Sequence, residues 1–340
     1  MKSYNEILSD VTKTATKIPQ SDYLDTGKYR IFDQGKEYSV GFSNDEQGVV
    51  SDYPYIIFGD HTRVVKYVNE PCFIGADGVK LLKVINKDFN PRFVYYNILA
   101  KPIENQGYAR HFKFLKEIQF TEKTLSVQTN IVTELDTIQS AIDNKKQQLS
   151  LLDEAVKSRF IEMFGDPVQN PMRWENKFGK ELFSFSSGKF LDASKRMEKG
   201  IPVYGGNGIA WYTDIPLISF DTIIIGRVGA YCGNIKKVQE PVWVTDNAIY
   251  IKQFKEKCFN LYFLYELMSY MNFYQYADFS GQPKITQKPL ENNKYIIPPI
   301  KKQKQFATFV QQIDKSKFVV KQQIADLQEL LDSKMQEYFS

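Results

Sequence analysis

The sequence predicts an α/β (α+β) chain built as two similar halves, in which each half is a globular segment followed by a long helix. Three observations support this prediction. One stretch of sequence recurs at a constant offset, apolar residues are spaced by three and four positions over long runs, and short β-branched runs end at glycine. The predicted layout is therefore globule, helix, globule, helix.

An internal repeat is the clearest of these features. Residues 147–154 (QQLSLLDE) match residues 322–329 (QQIADLQE), and every matched position lies 175 residues further along the chain. The same offset relates Gln128 to Gln303. A constant offset over such a span indicates that the two copies form equivalent structures.

Both copies of the repeat are predicted to be helical, because steps of three and four between apolar residues are typical of a coiled-coil seam. Each helix runs for about 38 residues, or about 55–60 Å, and alone would expose its seam, so the two are expected to pack together. Gly165 and Pro167 predict that the first helix ends near Phe164. Pro298 and Pro299 predict that the second begins after them. The predicted seam consists of Val127, Ile131, Leu135, Ile138, Ile142, Leu149, Leu152, Val156, Phe160 and Met163, interrupted by Lys145, and of Phe306, Val310, Ile313, Val320, Ile324, Leu327, Leu331 and Met335, interrupted by Lys317.

The segment before each long helix contains glycine, aromatic and β-branched residues in short runs. Residues 55–58 (YIIF) and 222–225 (TIII) are predicted to be buried strands, and each is followed by a glycine. Residues 92–100 and 260–270 are predicted to form short helices. The predicted boundaries are 1–122 and 166–300 for the two globular domains, and 123–165 and 301–340 for the two long helices.

Composition limits the classes of function. The net charge of +4 is mildly basic, which permits DNA binding if the cations cluster on one face. Cys72, Cys232 and Cys258 are far apart and lack metal-ligand spacing, so free thiols in a reducing cytoplasm are expected. His61 and His111 are the only histidines, which argues against a histidine-built metal site or catalytic triad. No run approaches the ~18 apolar residues of a membrane span, and a signal peptide is not expected, so we expect a cytoplasmic protein.

Several motifs resemble those of one known family. They are residues 200–208 (GIPVYGGNG), 225–233 (IGRVGAYCG), 245–248 (TDNA), 280–286 (SGQPKIT) and 296–303 (IIPPIKKQ). In order and spacing they resemble the specificity subunits of type I restriction-modification systems. The resemblance covers nearly the whole chain, although the first half departs from the pattern at residues 59–63 (GDHTR) and 118–123 (IQFTEK).

The resemblance implies two α/β target recognition domains separated by an antiparallel two-helix coiled coil, a pseudo-twofold repeat. It implies that each domain recognises one half of a bipartite double-stranded DNA target in the major groove, and that helix length sets the gap between the halves. It also implies that two modification (methyltransferase) subunits bind the chain and that restriction (motor-nuclease) subunits complete the enzyme. The chain itself is then expected to be a non-catalytic recognition subunit without a cofactor or metal.

Polar and basic residues in the predicted loops are candidates for DNA contact, because forked side chains distinguish bases and cations position phosphates. Arg227 lies between Gly226 and Gly229, which lets the backbone approach a phosphate while the guanidinium reaches a guanine. Gln282 carries an amide that can recognise adenine. The candidates are Gln34, Lys36, His61, Thr62, Arg63, Lys66, Arg110, His111 and Lys113 in the first domain, and Asn207, Trp211, Arg227, Tyr231, Gln282, Lys284 and Thr286 in the second.

Two other classes of function are compared with this prediction. Residues 170–173 (NPMR) lack the second proline and the aromatic residue of an adenine methyltransferase pocket, and the sequence has no phosphate-binding loop, so independent catalysis is not expected. The remaining alternative is a coiled-coil scaffold whose globular domains bind proteins. Salt dependence distinguishes the two, because log affinity for DNA falls with log salt with a slope of about −0.9 per phosphate contacted.

Overall fold

The computed structural model describes residues 1–75, 78–107, 109–239 and 241–340. These residues form two compact units. Unit 1 consists of Met1–Lys146 and Gln322–Ser340, and unit 2 consists of Gln147–Lys321. Both units combine α-helices with β-sheets, as the sequence predicts.

The globular part of unit 1 contains short helices and two sheets. Its α-helices are α1 (Tyr4–Ile7), α2 (Pro91–Leu99) and α3 (Phe112–Leu115), with 3-10 turns at Thr12–Thr14 and Gln20–Asp22. Its strands are β1 (Leu8–Asp10), β2 (Tyr29–Phe32), β3 (Gly41–Ser43), β4 (Tyr55–Gly59), β5 (Val65–Val68), β6 (Cys72–Ile74) and β7 (Val79–Val84).

The long helix α4 (Leu125–Phe164) leads from unit 1 into unit 2. The globular part of unit 2 contains the helices α5 (Gly179–Leu182), α6 (Leu261–Tyr270) and α7 (Gln287–Asn292), with 3-10 turns at Ala193–Lys195 and Phe273–Tyr276. Its strands are β8 (Asn176–Phe178), β9 (Phe183–Ser187), β10 (Ile201–Gly205), β11 (Gly208–Thr213), β12 (Thr222–Gly226), β13 (Ile235–Val238), β14 (Trp243–Val244), β15 (Ala248–Phe254) and β16 (Lys294–Ile296). The second long helix, α8 (Ile300–Phe339), leads back into unit 1.

The two globular parts share one sheet topology. The larger sheet has the order β1-β7-β4-β5 in unit 1 and β9-β15-β12-β13 in unit 2, and all neighbours are antiparallel. The smaller sheets have the orders β3-β2-β6 and β11-β10-β14, and in both the middle strand is parallel to the third. Strands β1 to β7 therefore correspond in chain order to β9 to β15, while β8 and β16 pair separately. The repeat extends from the helices to segments whose sequences diverge.

The central strand of each larger sheet is buried on both faces. In β4, Ile56 and Phe58 pack with α2 on one face, and Ile57 joins the core on the other. In β12, Ile225 likewise packs into the core on one face and Ile224 into the core on the other. Burial on both faces explains why these strands are uninterrupted apolar runs, and each buried side chain contributes about 1.5–3 kcal/mol of stability.

The two long helices pack against each other in both units and run antiparallel, as predicted. In unit 1, Ile131 and Leu135 of α4 share a core with Leu331 and Phe339 of α8. In unit 2, the rings of Phe160 and Phe306 lie 5.6 Å apart between centroids. Lys317, which interrupts the predicted seam, forms an ion pair with Asp153 of α4. In unit 1, Nζ of Lys334 lies 3.3 Å from Oε1 of Glu134 on α4. The placement of Val127 in the seam was wrong, since this first-turn residue is 41% exposed.

The predicted ends of the helices are confirmed. Helix α4 ends at Phe164, and Gly165 then adopts a left-handed φ of 73° that reverses the chain. The indole of Trp174 donates a hydrogen bond of 2.9 Å to the Phe164 carbonyl. Helix α8 begins at Ile300, directly after the proline pair. The predicted strands at 55–58 and 222–225 and the short helices at 92–100 and 260–270 are also confirmed, as β4, β12, α2 and α6.

Each cysteine is a free thiol, with Cys72 and Cys232 buried and Cys258 half-buried. Among the helices that the structure describes, none is both long enough and apolar enough to cross a membrane.

A charged cavity of about 490 Å³ lies within unit 2, between α4, β13, α6 and α8. Burial raises the pKa of the half-buried Glu266 to about 7, an effect that Asp314 and Asp153 increase and that Lys317 and Lys237 oppose. The Glu266 carboxyl group therefore binds its proton more tightly in the folded protein than in the unfolded chain, in which a glutamate has its ordinary pKa of about 4.3.

Replacing Glu266 is expected to reduce the pH dependence of stability. As the pH rises from about 5 to about 8, the contribution of Glu266 to the free energy of unfolding falls. The reason is that Glu266 loses its proton at a lower pH in the unfolded chain than in the folded protein. Glu266→Gln removes the titration, so its stability advantage over the wild type grows across that window. Urea midpoints at both ends of the window measure the effect, and Glu154→Gln, which removes an exposed carboxylate, is the control. Equal pH dependence in Glu266→Gln and wild type would contradict the assignment.

Candidate nucleic-acid interface

Three loops meet at one end of the sheets of unit 2. The backbone N–H of Arg227, after β12, donates to the Asn247 carbonyl in the β14–β15 turn at 2.9 Å. The Arg227 carbonyl accepts from the N–H of Ile285 at 2.9 Å, and Gly229 donates to the Pro283 carbonyl at 2.8 Å. These bonds attach residues 278–286 to the loop after β12. The resulting group of loops is called loop cluster 2.

The β10–β11 turn packs tightly against loop cluster 2. A Cβ atom on Gly226 would lie 2.2 Å from the Tyr231 carbonyl oxygen and 2.7 Å from that of Gly206. No side chain fits there without moving the backbone, so glycine is required by close approach. The glycines of the sequence motifs therefore bring four loops, and the polar side chains they carry, into one surface.

Most of the predicted residues of unit 2 lie on this surface. Asn207 is exposed at the tip of the β10–β11 turn, and Tyr231 is 52% exposed. Arg227 is half-buried, and its Nη1 donates to the Asp246 carbonyl at 3.1 Å, which holds the guanidinium in place. Gln282 and Lys284 are exposed on the segment attached to Arg227.

The other two predicted residues of unit 2 lie at the margins of loop cluster 2. Trp211 is half-buried on β11, with the guanidinium of the exposed Arg196 5.5 Å from the centre of its ring. Thr286 is exposed at the N-cap of α7, directly after Ile285. Arg196 is a candidate that the sequence reasoning missed, because its proximity to Trp211 depends on β-sheet pairing.

Unit 1 has a corresponding group of loops, loop cluster 1, formed by the residues after β2, the β4–β5 turn and the turn before β7. The Gln34 side chain accepts a hydrogen bond from the His61 N–H at 3.2 Å, and the Thr62 hydroxyl donates to the Gln34 carbonyl at 2.5 Å. Asp60 donates from its backbone to the Gly78 carbonyl at 2.7 Å. These loops follow the strands that correspond to β10, β12 and β14 in unit 2.

Gln34 is half-buried and His61 and Thr62 are exposed in loop cluster 1. Lys36 is exposed on the β2–β3 loop. Arg110 and Lys113 are exposed on either side of His111, and the Lys113 ammonium lies 4.7 Å from the centre of the Phe114 ring.

Two predicted residues of unit 1, His111 and Lys66, are buried instead of lying on the surface, which corrects the prediction for them. His111 is fully buried, with Nδ1 3.0 Å from the Asp60 carbonyl and Nε2 accepting from the Gln106 N–H at 3.2 Å. Lys66 is 5% exposed and 3.4 Å from Asp33, and burial lowers its pKa. Arg63 is half-buried and donates to the Ile103 carbonyl at 3.2 Å.

The two buried side chains support loop cluster 1 from within. The Asp60 carboxylate also accepts from the Phe112 N–H at 2.8 Å, so His111 and Asp60 together attach the β4–β5 turn to α3. A buried polar side chain with such partners stabilises a loop and is not available to a ligand at the surface. Among the described residues, no group of His, Cys, Asp and Glu side chains is arranged to hold a metal ion.

Comparison with known proteins points to a single family. Residues 171–329 match the family model described as the type I restriction modification DNA specificity domain. The EcoprrI specificity subunit, from a type I restriction enzyme of Escherichia coli, is 24% identical over 202 residues, which is 57% of this chain and 50% of that protein. The chain thus spans about half the length of this relative.

Solved structures agree at the level of the fold. The S subunit of a type I restriction-modification system from M. genitalium superposes with a TM-score of 0.62 at 18% identity, covering 100% of this chain and 95% of that one. A chain from a structure that addresses assembly and conformational transition of the type I system gives a TM-score of 0.52 at 13% identity, covering 100% and 99%. The resemblance to type I restriction-modification specificity subunits that the sequence motifs predicted is confirmed by the family model over residues 171–329 and by these relatives.

Proposed function

We propose that this chain is the DNA specificity subunit of a type I restriction-modification complex and that it recognises a bipartite target, one half-site per recognition domain. The domains are residues 1–122 and 166–300, and the helical segments 123–165 and 301–340 set the gap. The repeated topology is the observation that carries the proposal, because it gives each half a polar loop cluster after corresponding strands.

The chemistry of the loop clusters suits base recognition. Arginine, glutamine and asparagine present forked donors and acceptors that match guanine and adenine in the major groove, while lysines bind phosphates. The hydrogen bond from Arg227 to the Asp246 carbonyl restricts the guanidinium before DNA arrives, which reduces the entropy lost on binding. The proposed contact residues are Gln34, Lys36, His61, Thr62, Arg63, Arg110 and Lys113 in the first domain, and Asn207, Trp211, Arg227, Tyr231, Gln282, Lys284 and Thr286 in the second.

The resemblance to type I specificity subunits supports the proposed partners. Two modification subunits would bind this chain and methylate the target that it selects, and restriction subunits would join to complete the enzyme. The chain contributes recognition and no catalytic step. The sequence supports this division of labour, since it has neither a phosphate-binding loop nor the complete adenine methyltransferase motif.

Methylation mapping tests the proposal. The chain is expressed with its modification subunits, and methyladenine is located across the host DNA. We expect one split motif with a gap of fixed length. An assembled complex that methylates no such motif would favour a protein-binding scaffold, for which the affinity for DNA would also lack the steep salt dependence of phosphate contacts.

Removing the Arg227 side chain is expected to relax recognition of one half-site only. A forked contact to a base contributes about 1–3 kcal/mol of discrimination, so Arg227→Ala should reduce selectivity at one position of the second half-site by about 10- to 100-fold. Arg227→Lys keeps the charge but not the fork and should restore affinity more than selectivity. Lys252→Ala, an exposed cation on β15, is the control. Equal loss at both half-sites would contradict a direct contact.

A further inference from the structure

Two buried glutamines occupy equivalent positions at the start of the two long helices. Gln128 of α4 and Gln303 of α8 lie 175 residues apart and are both 0% exposed. A fully buried glutamine is uncommon, because each unpaired amide group in the interior is costly. Their hydrogen bonds therefore identify what the two side chains do.

Gln128 joins the long helix to the globular part of unit 1. Its Oε1 accepts from the backbone N–H of Asn90 at 2.7 Å. Its Nε2 donates to the carbonyl of Asp88 at 2.8 Å and to that of Lys123 at 2.8 Å. Both amide hydrogens and the oxygen are thus used, and they connect the loop before α2, the segment before α4 and α4 itself.

Gln303 makes the same three bonds in unit 2. Its Oε1 accepts from the backbone N–H of Asn260 at 2.9 Å, and its Nε2 donates to the carbonyls of Cys258 at 2.9 Å and Pro298 at 2.7 Å. The loops they bind share the sequence pattern Lys-x-Phe-Asn, at residues 87–90 and 257–260, and the hydrogen-bond pattern is identical.

The asparagines on the receiving side complete the arrangement. Asn90 caps α2 and Asn260 caps α6, and in each helix the asparagine side chain accepts from the second and third backbone N–H groups. The glutamine therefore holds the N-terminus of the short helix, whose direction is already determined by its cap. Apolar packing also holds α6 in place, as between Phe263 of α6 and Phe160 of α4. Such packing permits sliding, whereas three directed hydrogen bonds do not.

We propose that Gln128 and Gln303 are positioning residues that fix the angle at which each recognition domain is held on its long helix, and so fix the gap between the half-sites. The proposal rests on the function proposed above. The helices set the length of the gap between the half-sites, and the two glutamines restrict how much that length can vary.

Gln303→Glu tests the assignment in the assembled complex. The carboxylate keeps an acceptor for Asn260 but places an oxygen against the carbonyls of Cys258 and Pro298, so the junction must shift. Gln305→Glu introduces the same charge two residues away at an exposed position and is the control. Gln303→Met keeps a side chain of similar length and removes the hydrogen bonds without adding charge. It replaces Gln303→Glu as the test variant if the glutamate variant does not fold.

Methylation mapping again provides the measurement, with circular dichroism to verify folding. We expect unchanged half-sites, methylation at gaps one base pair longer or shorter than the wild-type gap, and a fall of about tenfold at the original gap. A folded Gln303→Met or Gln303→Glu complex that keeps a single gap at wild-type efficiency would overturn the proposal while leaving the proposed function intact. Absence of any split motif with the wild-type chain would overturn both.

Discussion

A chain with both long helices extended by one turn is expected to select a target whose gap is longer and whose half-sites are unchanged. Four residues are inserted between Lys146 and Gln147 and four between Lys321 and Gln322, the two points at which the helices pass between the units. Each insertion adds about 6 Å of helix, comparable with about two base pairs at ~3.4 Å each. Matching the insertions keeps the two helices in register, so the cores of both units stay intact.

Methylation mapping of the extended chain gives the gap directly. Four residues inserted after Ile215, an exposed residue in the connection between β11 and β12, add the same length outside the helices and should leave the gap unchanged. The spacer role would be refuted by an active complex that keeps the original gap after helix extension. An altered half-site sequence would equally contradict it, because the loop clusters are untouched.

Truncation of Phe160 is expected to cause a large loss of stability in unit 2. This ring is 1% exposed and packs against Phe164, Phe263 and Phe306. Replacing such a residue by alanine leaves a cavity and costs about 3–5 kcal/mol. The variant Phe160→Ala should therefore show a markedly lower urea midpoint for the unfolding of unit 2.

Tryptophan fluorescence isolates this transition, because all three tryptophans, Trp174, Trp211 and Trp243, lie in unit 2. Ile161→Ala removes an apolar side chain at the next position, where 36% is exposed, and should cost under about 1 kcal/mol. Similar midpoints for the two variants would show that the helix interface does not support the unit.

The regular elements could be predicted because local sequence determines them. The run 55–58 is apolar at consecutive positions since β4 is covered on both faces, and Gly165 ends α4 because it adopts a left-handed φ. The order of strands in the sheets could not be predicted, because it depends on pairs such as Ile56 with Leu82 that lie far apart in the chain. Nothing in the residues near either strand indicates its neighbour.

The burial of individual loop residues was even harder to predict from the sequence than the order of the strands. His111 and Arg110 are adjacent polar residues, yet the first is buried against Asp60 and the second is exposed. Lys66 alternates with apolar neighbours on β5 and is buried beside Asp33. The partners of His111 and Lys66 come from distant segments, so a local pattern identifies a polar loop without telling which side chains reach its surface.

The division of the chain into units also determines the order in which they can fold during synthesis. Unit 2 is continuous, so a ribosome completes it at Lys321. Unit 1 lacks Leu331 and Phe339 of its core until the last helical segment is made. Until then Ile131 and Leu135 have no covering helix from α8, and this nascent surface is apolar and prone to aggregation. Chaperone capture should therefore concentrate on the first-made part of the chain, while the part made after it folds first.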